Sequence, residues 1–501
     1  MQHLLKIACV VAAAVTALGA QPPRATSTLI RNALVVDGTG AAPTRGAVRI
    51  VDGKIADVGD LQTRSGDAIV DAAGLTLAPG FIDTHSHHDR GLFDAPDALA
   101  AVSQGITTIV VGQDGSSALP LSEFFERLEK QPAAVNVASY VGHGTLRRQV
   151  LGAEFKRRAT AEEIAQMGAL LRKEMEAGAL GLSTGLEYDP GIYSDPEEVI
   201  ALAKVAASMH GRYISHMRSE DRKLFDAVDE VIRIGREARL PVQISHVKLA
   251  MRGLWGQADK LIAVLDRARA SGVNVTADIY PYTYWQSGMT VLFPDRDFTN
   301  RAEAEFVLKE IVAPEDLLIV GFPEKPDYVG QTVTQIAALR GMDPPATVMK
   351  LIDESRQQGP TIVATSMDEK DVARLIQWRW ANICSDGTSS GGHPRGFGSF
   401  PRVLGRYVRE QKILALPEAI RKMTSLSAAN VGLTDRGTIA PGKVADLVLF
   451  DPERIIDRAT TADARALSIG IRSVWVNGEL VFDTGSSTHA HPGRVLRIRR
   501  E

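Results

Sequence analysis

Residues 80–89 read GFIDTHSHHD, an apolar run that ends in two histidines one residue apart. Alternate side chains of a strand share a face, so His85 and His87 can aim two imidazoles at one point. Further along, His216 ends RYISH, His246 ends PVQISH, and Asp386 follows ANICS. Imidazole nitrogens mixed with a carboxylate are ligands that zinc prefers. Such an ion polarises a carbonyl and makes a water more acidic. Hydrolysis of a carbonyl compound draws on both. Asp386 is a candidate for metal contact. Any one of these histidines taken singly reads more readily as a core or surface residue. Five such groups on one rim point to a metal site with one or two zinc ions. His3, His489 and His491 fall in the leader or the tail and His210 in a helical stretch, so none of these is a candidate.

The ligands can share a rim only if their segments are strands of one architecture. Eight short apolar runs recur: those above, GITTIVVGQDG with Asp114, VNVASYVGHG with His143, GALGLSTGLEY to Tyr188, and GVNVTADIYPY with Asp278. Most are followed by segments such as AEEIAQMGALLRKEMEAG or LFDAVDEVIRIGREARL, whose apolar residues recur at helical spacing. In DPEEVIALAKVAASMHG an Asp-Pro start and acidic first turn mark a helix N-terminus. Eight strand–helix alternations predict an α/β fold, a (β/α)8 TIM-type barrel over residues 79–435. The polar residues then all lie at the C-terminal strand ends, where such barrels hold their active sites.

The flanks read differently. Residues 27–78 and 436–485 carry short β-rich runs broken by Gly and Asp turns, including an Asn477-Gly478 hairpin signal. They are expected to pair into one small β-sandwich that serves stability. Residues 286–350 interrupt the alternation before the last barrel strand; such an insertion is either a lid over the mouth or a surface embellishment. Residues 1–20 read as a secretory signal peptide, with a weakly basic start and an apolar run that ends in small residues near Ala20. An exported, periplasmic enzyme without stable membrane insertion is the corresponding expectation. Cleavage leaves Cys384 alone, a buried and inert thiol, so no internal disulfide forms. With 57 basic and 60 acidic residues the net charge is −3, which excludes the basic excess of a nucleic-acid binder.

On GFIDTHSHHD, GHGTLR, GALGLSTGLEYDPGIYS, SHMRSE, QISHVK, DIYPYT, SDG with HPRGFGSFPRVLGRYVRE, and GTIAPGKVADLVLFDP, the chain resembles the N-acyl-D-amino-acid deacylases (D-aminoacylases) of the amidohydrolase superfamily. The opening and closing motifs belong to the superfamily; STGLEY, SHMRSE, ISHVK and HPR…GSFPRVLGRYVR belong to this branch. The resemblance implies that His85 and His87, His216 and His246 are metal ligands of the first, fifth and sixth strands. It makes Asp386 the eighth-strand general base that later donates to the leaving amine. It also implies that Tyr188, Lys248 and Arg395 bind the substrate's carboxylate; an arginine fork suits a carboxylate, and two cations near zinc call for an anion between them. His143 is then a group for the scissile carbonyl oxygen or for loop orientation.

One departure stands out. Where the family has a ligating cysteine, in Val-Gly-Asn-Cys-Gly, this chain reads Val111-Gly112-Gln113-Asp114-Gly115. A carboxylate is a harder ligand and can bridge two ions, so Asp114 is expected to ligate. The alternatives are a plain Asp-Gly turn and a bridge from Glu187. The overall expectation is a zinc-dependent hydrolase of N-acyl-D-amino acids or related peptide-like small molecules. Rival readings are a dipeptidase or a dihydroorotase-like cyclic-amide hydrolase, and a non-catalytic periplasmic binding protein. The last has no use for a general base.

Overall fold

The computed structural model describes residues 27–355 and 359–498. The expected leader, with Cys9 and His3, lies outside them. Eight parallel strand positions form the barrel. They are Phe81–Asp83, Ile106–Val111, Asn136–Ser139 continued by Val141–Gly142, Gly181–Gly185, Arg212–His216, Val242–Ile244, Val275–Ile279 and Ala381–Ile383. Nearly all of their residues are buried, as parallel strands covered on both faces must be. The third position pairs with the second through Asn136–Ser139 and with the fourth through Val141–Gly142, and bonds from Tyr140 N to Val111 O at 3.0 Å and Leu180 N to Ser139 O at 2.9 Å span the break between them. Closure between the last and first strands runs through the loops beyond them. Asp386 N donates to His85 O at 2.8 Å, and His87 N to Gly387 O at 2.9 Å.

The helices form where spacing and caps place them. Ala161–Glu176 opens with a Thr160/Glu163 capping box. Pro196–Ser208 opens with Asp195 accepting from Glu198 N and proline in its first turn. Leu224–Ala238 buries the stripe Leu224, Val228, Val231 and Gly235 against the barrel.

Strands from both ends of the chain join in one nine-stranded sheet. Thr76–Pro79 from the first end pairs antiparallel with Leu447–Phe450 from the second. The sheet curls, so that Lys54 bridges Val444, around Ile30, Val48, Leu77, Leu447 and Trp475. Beyond it the tail returns to the barrel: Val495 bridges Val137, and Asp97 accepts from His489 and His491, each at 2.7 Å.

The interruption before the last barrel strand is wider than expected. Tyr284–Gly288, Leu317–Gly321 and Thr361–Thr365 form an antiparallel sheet around its own apolar cluster. Its central strand, Thr361–Thr365, lies beyond residue 350. It pairs with partners roughly 40 and 75 residues earlier, and local periodicity carries no signal for such distant pairing. Among the described residues no helix is long and apolar enough to cross a membrane.

Helix Leu416–Met423 packs against the last barrel strand and buries Lys422 completely. The ammonium donates to Trp378 O and Ala381 O, and burial pushes it down to about 7. Between that value and the ordinary lysine value of the unfolded chain, the unfolded state holds more protons. Stability from this group therefore rises with pH across the window from about 7 to about 10.5. Lys422→Met is expected to remove that part of the rise. Melting temperatures of both proteins at pH 7 and pH 10 test it: parallel changes in the two would refute the assignment.

Candidate metal-dependent active site

The strand ends deliver the chemistry to one place, and three of the residues sit in left-handed backbone: Asp114 at φ 53°, His246 at 33° and Asp386 at 49°. Non-glycine residues rarely adopt it, and it gathers at functional sites. Gly112, at φ 73°, makes the turn before Asp114; a Cβ there would lie 2.2 Å from Tyr140 O.

Among the described residues three groups of donors result, Glu187, His216 and Glu220 forming one of them, and the other two share Asp114. Of those two, His85, His87, Asp114 and Asp386 form one; Asp114, His216 and His246 form the other, with donor atoms within 4.8 Å of one another in each. Asp114 belongs to both. Its Oδ1 lies 3.3 Å from His85 Nε2 and 3.5 Å from His246 Nε2, and its Oδ2 lies 3.1 Å from His87 Nε2. Asp386 Oδ1 lies 3.5 Å from His85 Nε2 and 3.3 Å from His87 Nε2. His85 Nε2 and Asp114 Oδ1 are buried without a hydrogen-bond partner. Buried polar atoms are rarely left so, and both point at the shared space. That is the donor set and geometry a divalent ion would satisfy.

The site demands positive charge. Burial opposes charge on His87, yet its bonds to Asp114 and Asp386 push it up to about 9. Burial would raise the carboxyls of Asp114 and Asp386. For Asp114 the imidazoles His85, His246 and His87 outweigh it; for Asp386 Arg395, His246 and His85 do, and both stay well below the carboxylate range.

A second layer holds the ligands in place. Asp278 Oδ1 accepts from His246 N at 2.6 Å and from Cys384 Sγ at 3.2 Å, and Oδ2 from Gln243 Nε2 at 2.6 Å. Cys384 is the buried thiol expected, and burial holds it well above the usual thiol range. His393 accepts from Arg395 N at 3.0 Å through Nδ1, and its Nε2 donates to Tyr284 O at 2.9 Å. Burial and the nearby Arg395 keep that imidazole neutral, as this pair of bonds requires.

The cavity has an inner lobe of about 40 Å³ and an outer lobe of about 410 Å³, which share Tyr188, Gln286, Ser287, Asp386 and Arg395. Trp285, Val291, Leu292 and Ile311 of the insertion wall the inner lobe. The insertion therefore shapes the mouth. The outer lobe is polar and carries His87, Arg90, Gln113 and Ser116.

The structure brings His85, His87, Asp114, Tyr188, His216, His246, Lys248, Asp386 and Arg395 together, and leaves one expected residue apart. His143 lines neither lobe. It starts helix His143–Leu151, fully buried, with Nε2 bonded at 2.7 Å to Glu198, which also binds Arg147. Nor do the two cations wait for an anion. Glu220 takes Lys248 through both oxygens at 2.6 Å, and Asp386 Oδ2 takes Arg395 at 2.7 Å. The anions that a lysine and an arginine beside a metal require are the protein's own. Glu187 lies 2.9 Å from His216 Nε2, outside both groups that contain Asp114. Sequence reasoning passed over Glu220, which lies inside SHMRSE, and Tyr280, inside DIYPYT. Tyr280 carries a buried, unpartnered hydroxyl, and Arg395 lies 4.8 Å over its ring.

A barrel with histidines and aspartates gathered at its C-terminal rim is the architecture of metal-dependent hydrolases. The chain matches the model of an amidohydrolase family over residues 68–295 and 329–482, and it belongs to that family. It is 37% identical to the N-acyl-D-glutamate deacylase of Alcaligenes xylosoxydans xylosoxydans, over 94% of this chain and 96% of that one. The N-acyl-D-glutamate deacylase of Bordetella bronchiseptica was solved with zinc and a phosphonate mimic of the tetrahedral intermediate. It superposes with a TM-score of 0.85 at 35% identity, covering 94% of this chain and 99% of that one. A D-aminoacylase structure concerned with its binuclear metal centre superposes with a TM-score of 0.85 at 34% identity and the same coverage.

Asp114→Ala is expected to lower the zinc retained per chain, because it removes the one carboxylate that two of the donor groups share. Asp114→Cys, which recreates the family's residue, is expected to restore it. Elemental analysis after dialysis decides; undiminished zinc in the alanine protein would show that Asp114 only shapes its turn.

Proposed function

We propose that this chain is a zinc-dependent deacylase that cleaves the amide bond of N-acyl-D-amino acids. The observation that carries the reading is the setting of Asp386. One oxygen faces His85 and His87 across the donor group, and the other is held by Arg395. Zinc bound among the histidines and Asp114, as one or two ions, would polarise the scissile carbonyl and make water a better nucleophile. Asp386 is kept ionised, so it takes the proton from the attacking water. Its Oδ1, beside the reacting centre, then delivers that proton to the leaving nitrogen. Arg395 keeps the carboxylate from rotating and lines both lobes, where a substrate carboxylate can share its guanidinium. Tyr188, which closes over His216 at a ring distance of 4.3 Å, and Tyr280 add hydroxyls to that wall. Relatives matched over 94% of the chain act, by name, on acylated D-amino acids, which favours linear amides over the dipeptide and cyclic-amide readings. We further read the curled terminal sheet as a stabilising β-sandwich and the apolar N-terminal run as a cleaved export signal of a periplasmic enzyme.

A panel of N-acetyl-D- and L-amino acids, with zinc-loaded and chelated protein, tests the proposal. Hydrolysis is expected of D-substrates, lost on chelation and regained with zinc; full turnover by stripped protein would overturn it. Asp386→Asn should retain the fold and lose about a hundred- to ten-thousand-fold in kcat. A rate within a few-fold of wild type would remove Asp386 from the base role. Arg395→Ala should slow every substrate by freeing Asp386, and should cost acyl amino acids about ten- to a hundred-fold more kcat/KM than their carboxamides, the value of a charged hydrogen bond. Equal losses would confine Arg395 to positioning Asp386.

A further inference from the structure

The two histidines of the Asp114–His216–His246 group present opposite ring nitrogens. His246 turns Nε2 inward, 3.5 Å from Asp114 Oδ1 and 3.0 Å from His216 Nδ1. His216 therefore turns Nδ1 inward. Each outward nitrogen meets a carboxylate: His246 Nδ1 lies 2.9 Å from Glu220 Oε1, and His216 Nε2 lies 2.9 Å from Glu187 Oε2. A neutral imidazole has one N–H and one lone pair. A carboxylate outside takes the N–H and leaves the inward lone pair free to ligate.

His246 has a competitor for its outward nitrogen. Lys248 Nζ lies 2.7 Å from the same Nδ1. An ammonium can only donate; if it donates to Nδ1, the ring hydrogen moves to Nε2 and the ring is closed to a metal. Glu220 opposes this in two ways: its Oε1 stands 2.9 Å from the same Nδ1, and it holds the ammonium through both oxygens at 2.6 Å. All three side chains are nearly inaccessible, at 2%, 4% and 10% exposure. Little water is at hand to replace a lost partner.

We infer that Glu220 and Glu187 are positioning residues that fix which ring nitrogen His246 and His216 offer to the metal, and that Glu220 does so against Lys248. This rests on the metal reading above and extends it to two residues outside the donor groups that contain Asp114. Glu187, a candidate bridge on sequence grounds, acts through His216 instead.

The full-length protein, stripped of metal and titrated with cobalt(II) and with zinc, tests the inference. Affinity is read by chelator competition and coordination by the visible absorption of cobalt. Glu220→Ala is expected to weaken binding about 10- to 100-fold, the usual cost of losing an outer partner. Lys248→Met alone should leave affinity near wild type. Glu220→Ala with Lys248→Met should recover part of the loss, because the competing donor is gone. Glu187→Ala should weaken binding too, without rescue by Lys248→Met. Unchanged affinity in Glu220→Ala, or a double variant no better than the single, overturns the inference. If the alanine protein does not fold, Glu220→Gln with and without Lys248→Met makes the same comparison, since an amide accepts from Nδ1 but cannot neutralise the ammonium. A wild-type protein that takes up neither ion overturns the metal reading itself, and is recognised before any substitution is made.

Discussion

Two carboxylates are buried among four imidazoles, and the rest of the structure is arranged around that confinement. An isolated buried carboxylate is costly, so Asp114 and Asp386 can remain ionised only if positive charge surrounds them. Asp114 touches three imidazoles from two strand ends, and Asp386 touches two imidazoles and Arg395. A dication in the same space answers the same demand more compactly. The backbone accepts left-handed conformations at Asp114, His246 and Asp386 to bring the groups together. The barrel's closing bonds, Asp386 N to His85 O and His87 N to Gly387 O, tie those residues across the seam between the last and first strands. Closing the fold and assembling the site are one event.

Charge pairing extends outward from there. Lys248 and Arg395 each carry a carboxylate of their own, Glu220 and Asp386. Neither is a bare cation, so positive charge can stand near a metal without repelling it. For Arg395 the pairing bears on the site, because the guanidinium that lines both lobes also holds Asp386 ionised. For Lys248 it divides the ammonium between Glu220, at 2.6 Å, and His246 Nδ1, at 2.7 Å.

The insertion and the terminal sheet answer different needs. The insertion has its own apolar cluster, so it can hold Trp285 and Leu292 against the inner lobe as a firm wall. His393 fastens the loop of the eighth strand to the insertion's first strand through Tyr284 O, so the wall and the Arg395 loop are positioned together. The terminal sheet stands away from the mouth and contributes no residue to either lobe.

The sequence alone determined the barrel, its eight strand positions and the ligand types at their ends, because these are local signals. Apolar periodicity separates strand from helix; His85 and His87, read from their spacing as strand residues, lie in the loop just beyond Phe81–Asp83. The family motifs added Asp386 as the base, and the departure at Asp114 was visible in a five-residue window. Which residues meet was decided only by the tertiary structure. His143 closes an apolar run much as His216 and His246 do, yet its ring turns into the protein to Glu198 and Arg147. Lys248 reads as a free cation two residues past His246, but Glu220, 28 residues earlier in the chain, lies 2.6 Å away. The insertion's central strand also pairs across distances that no short window spans. Residue type and spacing fix which way a side chain leaves its strand; its partner is fixed by the strands beside it, through long-range contacts whose energies depend on burial and distance.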